Sequence, residues 1–241
     1  MALPTIHTAP LNLIGAYFVT GTDTEIGKTT TTANLVKALA KQGQAVYAIK
    51  PVTAGLATDA NGEPYSEDAR QINQFATVTL PMSAIAPICL ATPCSPHIAS
   101  QLDNVELQAD TIVNAIQTTL QTYPADTVLI EGAGGWFTPI NASETLADVA
   151  MQLGLPVIMV VGIKLGSLNH AMLTLQAIWQ AGLTVDMVVF NALANDTAFL
   201  DEQIRWLTQA ISRQAVHYQA MPPQWLFQDF NLPLNEDLCN L

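Results

Sequence analysis

Positive charge is scarce in this sequence. Eight Lys and Arg stand against 20 Asp and Glu, a formal net charge of −12 over 241 residues. A nucleic-acid surface needs a basic patch to neutralise phosphates, and an anionic membrane surface draws on the same charges, so neither partner is expected. Cysteine is scarce too. Cys89, Cys94 and Cys239 make an odd number with no Cys-x-x-Cys pair, which argues against a disulfide framework or structural zinc and for a reducing, cytoplasmic setting. Long hydrophobic runs are missing. The longest, Leu153 to Ile163, is interrupted by Gly154, Pro156 and Gly162 and is too short to span a bilayer. The first twenty residues hold no Lys or Arg, so no signal peptide is expected. Internal repeats and low-complexity linkers are also lacking. Apolar residues, at 50%, are plentiful and suit one large domain over residues 1–241, with an irregular arm at 1–15 and a tail at 219–241.

The few cations are not scattered. Lys37 and Lys41 fall on an amphipathic stretch, and Arg70, Arg205 and Arg213 fall in or near other helical-looking segments. Lys28, Lys50 and Lys164 each follow an apolar, strand-like run. Ligands of open parallel sheets bind beyond the carboxyl ends of the strands, so cations at that edge point to an anionic ligand.

The most informative stretch is Gly21-Thr22-Asp23-Thr24-Glu25-Ile26-Gly27-Lys28-Thr29. It follows the apolar run Ala16–Thr20 and opens an amphipathic run from Thr30 to Gly43. Strand, glycine loop, Gly-Lys-Thr and helix make the layout of a phosphate-binding P-loop. Free N–H groups and the helix dipole attract anions at such a helix start. Gly27 lets the chain come close to a phosphate, Lys28 can reach the terminal phosphates, and the Thr29 hydroxyl can bind Mg²⁺. Five residues separate the two glycines, where the common pattern has four.

Along the rest of the chain, strand and helix patterns alternate. Ala45–Lys50 reads as a strand stopped by Pro51. Thr58 to Pro64 reads as a polar loop, and Ser66-Glu67-Asp68 as the start of a short helix through Gln74. Ile85–Leu90 reads as a strand edge, Ser95-Pro96 as a helix cap, and Glu106–Thr122 as an amphipathic helix. Thr127–Glu131 is a buried strand ending in an acid, followed by Gly132-Ala133-Gly134-Gly135. A carboxylate at a strand tip of that kind can meet Mg²⁺ or its water. Thr145–Leu153 reads as helix and Pro156–Gly162 as a strand covered on both faces. A helix from about Leu168 follows Lys164-Leu165-Gly166-Ser167, and its start offers N–H groups to an anion such as a carboxylate. Val185–Phe190 reads as a strand ending at Asn191, Thr197–Ile211 as a helix, and Ala215–Tyr218 as a last short strand. Short apolar strands alternating with helices predict an α/β fold: a mostly parallel central sheet with helices on both faces, of the P-loop NTPase type.

Several of these stretches together resemble the dethiobiotin synthetase family. They are Tyr17 to Thr29 (YFVTGTDTEIGKT), Lys50-Pro51-Val52, Ser95-Pro96-His97, Glu131 to Pro139 (EGAGGWFTP) and Val160 to Leu173 (VVGIKLGSLNHAML). The five-residue P-loop spacing is normal in that family. The resemblance implies an ATP-dependent enzyme that carboxylates 7,8-diaminononanoate with CO₂ and closes a ureido ring through a carbamic–phosphoric anhydride. It implies Lys50 and Lys28 as catalytic lysines, and Thr29, Asp68 and Glu131 around Mg²⁺. Thr24, Glu25, Ile26, Gly27, Thr30, Gly132, Ala133 and Gly134 would surround ATP. Asn191 and Met221-Pro222-Pro223 would receive the adenine. Thr53 and Ala54 would meet the substrate, and Leu165, Gly166 and Ser167 would hold its carboxylate from the neighbouring subunit of a homodimer.

Two departures stand out. The family usually has Ser or Thr where this chain has Ala54, and its adenine segment differs from Gln219-Ala220-Met221-Pro222-Pro223. The alternative is a nucleotide-switch ATPase of the partition or septum-placement type. Those proteins typically carry a lysine early in the loop, and here the loop has none before Lys28. His97 reads either as a helix-start residue without chemistry or as a site residue, His170 as structural or interfacial, Trp136 and Phe137 as packing beside the glycine loop, and the cysteines as inert.

Overall fold

The computed structural model describes residues 11–193 and 199–229. In chain order the elements are β1 (Gly15–Gly21), α1 (Lys28–Lys41), β2 (Val46–Ile49), β3 (Val52–Ala54), β4 (Ala57–Thr58), β5 (Pro64–Tyr65), α2 (Glu67–Ile72), α3 (Met82–Ile85), β6 (Ile88–Leu90), α4 (Pro96–Leu102) and α5 (Ala109–Thr122). Then come β7 (Thr127–Glu131), α6 (Leu146–Leu153), β8 (Val157–Ile163), α7 (Ser167–Gln180), β9 (Val185–Ala192), α8 (Leu200–His217) and β10 (Gln224–Asp229).

Six strands form one sheet in the order β10-β9-β8-β1-β7-β2, and every pairing within it is parallel. β2, β7 and β8 are buried along their whole length, which explains why they read as unbroken apolar runs without alternation. α1 packs on β1, β2 and β7, while α7 packs on β8 and β9, so helices flank the sheet. The chain moves from β1 to β2 on one side and later to β8 on the other. The carboxyl end of β1 therefore lies at a switch in strand order, where open α/β sheets bind ligands. A short two-stranded unit, β3 with β6, stands beside this edge and carries the chain on from Lys50.

Helix starts follow their local chemistry. Ser66 caps α2 by accepting the Ala69 N–H. Thr145 and Asp148 form a reciprocal capping box on α6, and Pro96 occupies the first turn of α4.

Five expectations are corrected. Ala215–Tyr218 is not a strand, because α8 runs through His217 and Ala215 continues the buried stripe Ile204, Leu207, Ile211. Packing at helical spacing overrides the β-propensity of Val216 and Tyr218. The expected start of that helix at Thr197 lies outside the described residues. The stretch from Gln219 is not all tail: β10 lies in it, with Trp225 stacked on Phe190 at 5.9 Å. Ile85 belongs to a helical turn, so the strand starts only at Ile88, and Thr58–Pro64 turns back as the β4–β5 hairpin. The arm ends sooner than expected. Leu13 is fully buried and Gly15 already pairs with Thr127.

Candidate functional site

The loop between β1 and α1 is held from below. Ile26 is fully buried, and the sheet gives it room only because two positions lack a side chain. A Cβ on Gly21 would fall 2.7 Å from Ile26 Cδ1, and one on Gly162 would fall 2.7 Å from Ile26 Cγ2. Asn191, at the tip of β9, donates from Nδ2 to the Ile26 carbonyl at 2.9 Å and to Thr31 Oγ1 at 3.1 Å. With its apolar residue anchored, the loop turns through left-handed Glu25 (φ 57) and Gly27 (φ 82), and Gly27 stands at the N-cap of α1. The N–H groups of the first helical turn are thereby presented at the carboxyl edge of the sheet.

Beside the loop, strand tips converge. Lys50 follows β2, Glu131 ends β7, and Asp68 lies in the first turn of α2. The Lys50 ammonium bridges Asp68 and Glu131, at 2.8 Å from Glu131 Oε1. Thr29 Oγ1 donates to the same Glu131 oxygen at 2.8 Å. Burial works to lower the Lys50 pKa, but the two carboxylates outweigh it, so the value is raised and the ammonium stays charged. Lys28 donates to the Asp23 carbonyl at 3.0 Å. Its pKa is pushed down to about 8, chiefly by burial, with Glu131 opposing. Asp23 also pairs with Lys164 at 2.7 Å, a bond that holds its carboxyl below the usual range.

Lys28, Thr29, Lys50 and Asp68 face a cavity of about 750 Å³, whereas Glu131, expected at the site, is fully buried and does not line it. Thr24, Glu25, Gly27, Lys28 and Thr29 line it from the P-loop, Lys50, Thr53 and Ala54 from the β2–β3 segment, and Asp68 from α2. Ala133 and Gly134 line it from the loop after β7. The remaining wall is Pro93 to Pro96 with Thr138 and Pro139. Among the described residues no three His, Cys, Asp or Glu gather into a metal cage. Thr29, Asp68 and Glu131 still present hard oxygens, and Glu131 Oε2 is buried with no hydrogen-bond partner among the described residues. That donor set fits Mg²⁺, which binds through one or two carboxylates plus phosphate oxygens.

A family model described as an AAA domain matches residues 15–220. The chain belongs to this family of P-loop NTPases, which includes dethiobiotin synthetase. Two solved structures show a distant likeness to the chain. Chloroplast FtsY from Physcomitrella patens is 17% identical with a TM-score of 0.42, covering 90% of this chain and 60% of that one. The signal recognition particle receptor FtsY from Elizabethkingia anophelis in complex with GDP is 16% identical with a TM-score of 0.42, covering 81% of this chain and 54% of that one. This chain thus spans little more than half the length of either, and likeness at these scores carries no inference about function.

Not every expected site residue of this P-loop NTPase lines the cavity. Ile26 can offer a ligand only backbone, since its side chain is the anchor. Thr30 turns its hydroxyl to Gln71 Nε2 at 3.4 Å, and Gly132 is buried with its N–H on the Val19 carbonyl at 2.9 Å. Asn191 is fully buried and spends its amide N–H on the loop, so it supports the P-loop from beneath instead of lining the cavity. Met221, Pro222 and Pro223 precede β10. Because β10 runs parallel to β9, with Gln224 opposite Met187, they enter at the strand's amino end, not the carboxyl edge where the loop lies. Leu165, Gly166 and Ser167 follow β8 at the correct edge but do not line the cavity. Leu165 is wholly exposed, and Ser167 is buried with its hydroxyl 3.4 Å from Gln203 Oε1.

Cys94, Ser95 and Thr138 were not foreseen in the wall. Ser95-Pro96 was readable as a helix start, but nothing in its pattern told that the helix opens on the P-loop. His97 bonds Ser95 Oγ through Nδ1 at 3.0 Å, in line with a structural role. Trp136 is buried beside the glycine loop, whereas Phe137 is largely exposed.

Proposed function

We propose that this protein is an ATP-dependent dethiobiotin synthase. The observation that carries the reading is the second lysine. Lys50 stands at its own strand tip, charged, in the same cavity as P-loop Lys28, and Thr53, Ala54 and Ser95 also line that cavity. Phosphate binding alone asks for one P-loop lysine. Joining two anions asks for more positive charge and for space beyond the phosphates.

One amine of 7,8-diaminononanoate adds to CO₂ and loses a proton, giving a carbamate. A carbamate oxygen attacks the γ-phosphorus of ATP and ADP leaves, forming a carbamic–phosphoric anhydride. The second amine attacks the anhydride carbon, phosphate departs with the bridging oxygen, and the ureido ring closes. Lys28 and the P-loop N–H groups hold the phosphates. Lys50 faces the carbamate and offsets the repulsion between the two anions. Thr29, Asp68 and Glu131 would hold Mg²⁺, which when bound supplies further neutralisation of the phosphates. The helix start at Leu165-Gly166-Ser167 does not line its own cavity, which leaves it for a second subunit's substrate carboxylate in a homodimer.

The test is product identification by mass spectrometry after incubation with Mg-ATP, bicarbonate and 7,8-diaminononanoate. Dethiobiotin is expected, and only when all three are present. ATP hydrolysis without any dethiobiotin would move the assignment to a nucleotide-switch ATPase.

A further inference from the structure

The hydroxyls of Thr53 and Ser66 lie 2.9 Å apart, and both residues are buried. Thr53 sits on β3 and lines the cavity; Ser66 is the cap of α2 and does not. Their protons can be assigned by asking which arrangement leaves the one unpaired O–H on the residue that lines the cavity. A hydroxyl has one donor and two acceptor sites. Ser66 Oγ already accepts the Ala69 N–H at 3.2 Å, and among the described residues its other partner is Thr53 Oγ1. Were Thr53 to donate, the buried Ser66 O–H would be left without an acceptor, an expensive state for a desolvated donor. With Ser66 donating, every need of Ser66 is met. The Thr53 proton then remains for the cavity, three residues beyond Lys50 and next to Ala54, which has no hydroxyl of its own.

We propose that Ser66 orients Thr53 so that its O–H is a fixed donor to a carbamate oxygen of the bound substrate. This rests on the function proposed above and deepens it. A carbamate oxygen can accept such a bond, whereas the protonated amine of the uncarboxylated diamine has only donors to offer. Thr53 is thus a specificity-determining contact, favouring the carboxylated form beside Lys50, and Ser66 is a positioning residue.

The experiment measures dethiobiotin formation by Thr53→Val, Thr53→Ser and Ser66→Ala with the diamine varied at saturating Mg-ATP and bicarbonate, alongside ADP affinity by calorimetry. Thr53→Val keeps the volume and removes the donor. Its KM for the diamine is expected to rise about ten-fold or more, as for a lost hydrogen bond to a charged group, with ADP affinity unchanged. Thr53→Ser is expected to restore the wild-type KM, and Ser66→Ala to raise KM in the same direction. Thr53→Ala replaces the valine variant if the latter does not fold. An active wild type with an unaltered KM in the variant lacking the hydroxyl overturns the inference alone, as does failure of serine to rescue. A wild type that forms no dethiobiotin overturns the functional reading and the inference with it.

Discussion

At the scale of single residues, burial sets the behaviour of the two lysines in opposite directions. Lys50 has carboxylates on two sides and stays charged; Lys28 has a carbonyl as its hydrogen-bond partner and is depressed to about 8 by burial. Between about 8 and the ordinary 10.5, the unfolded chain keeps the Lys28 proton that the folded chain has lost. The unfolded state then binds more protons, so this group makes stability rise with pH across that window. Urea melts of the ligand-free protein at several pH values should show the rise, and Lys28→Met should remove it. Nucleotide affinity should run the other way, falling as pH climbs through about 8, because the phosphates need the ammonium. Lys50→Ala should abolish turnover while calorimetry finds ADP binding little changed; near-normal turnover would take Lys50 out of the mechanism. Lys28 and Thr29 were legible from the P-loop pattern, and Lys50 and Glu131 because each ends an apolar run that fixes its place at the sheet edge. Asn191 also ends such a run, but its side chain turns beneath the loop, a choice that depends on Ile26 and Thr31 from distant parts of the chain.

At the scale of elements, the P-loop conformation depends on the strands beneath it. Gly162 in β8 leaves the space that Ile26 fills, and a methyl there would meet Ile26 Cγ2 at 2.7 Å, Ile26 Cβ at 2.8 Å and Leu193 Cδ1 at 2.8 Å. Gly162→Ala should cost about 1–3 kcal/mol in stability, as overpacking does, and should weaken ATP binding although no ligand atom is touched. Denaturant melts and calorimetry check both parts, and unchanged nucleotide affinity would show that the loop does not need this anchor. The strand and helix alternation was readable from periodicity, since β2, β7, β8 and β9 are nearly all buried. β10 was not. Its residues follow two prolines, and what makes them a strand is the exposed edge of β9, which no local pattern records. The end of α8 was misread for the same reason: the surface that buries Ala215 belongs to the tertiary structure.

At the scale of the whole molecule, an acidic protein directs three of its eight cations to one edge. Lys28, Lys50 and Lys164 all stand at the carboxyl side of the sheet, two of them in the cavity and the third paired with Asp23 of the loop. Among the described residues no helix is long and apolar enough to cross a membrane. The neighbouring wall was illegible in the sequence because Pro93 to Pro96 are brought to the P-loop only by the fold of β3, β6 and α4, and Thr138 by the segment after β7. The homodimer proposed from Leu165-Gly166-Ser167 predicts that sedimentation gives twice the chain mass of 25.8 kDa. It also predicts that Leu165→Asp lowers either the association or the affinity for the diamine, and a monomer with full activity would contradict it.

The central claim is that one cavity joins a carbamate to the γ-phosphate of ATP. Its most direct test is the phosphate released from Mg-ATP in ¹⁸O-labelled bicarbonate, with and without 7,8-diaminononanoate. The predicted result is release that requires the diamine, with label from bicarbonate carried into the phosphate through the anhydride. Release indifferent to the diamine, or phosphate without label while dethiobiotin forms, would contradict it.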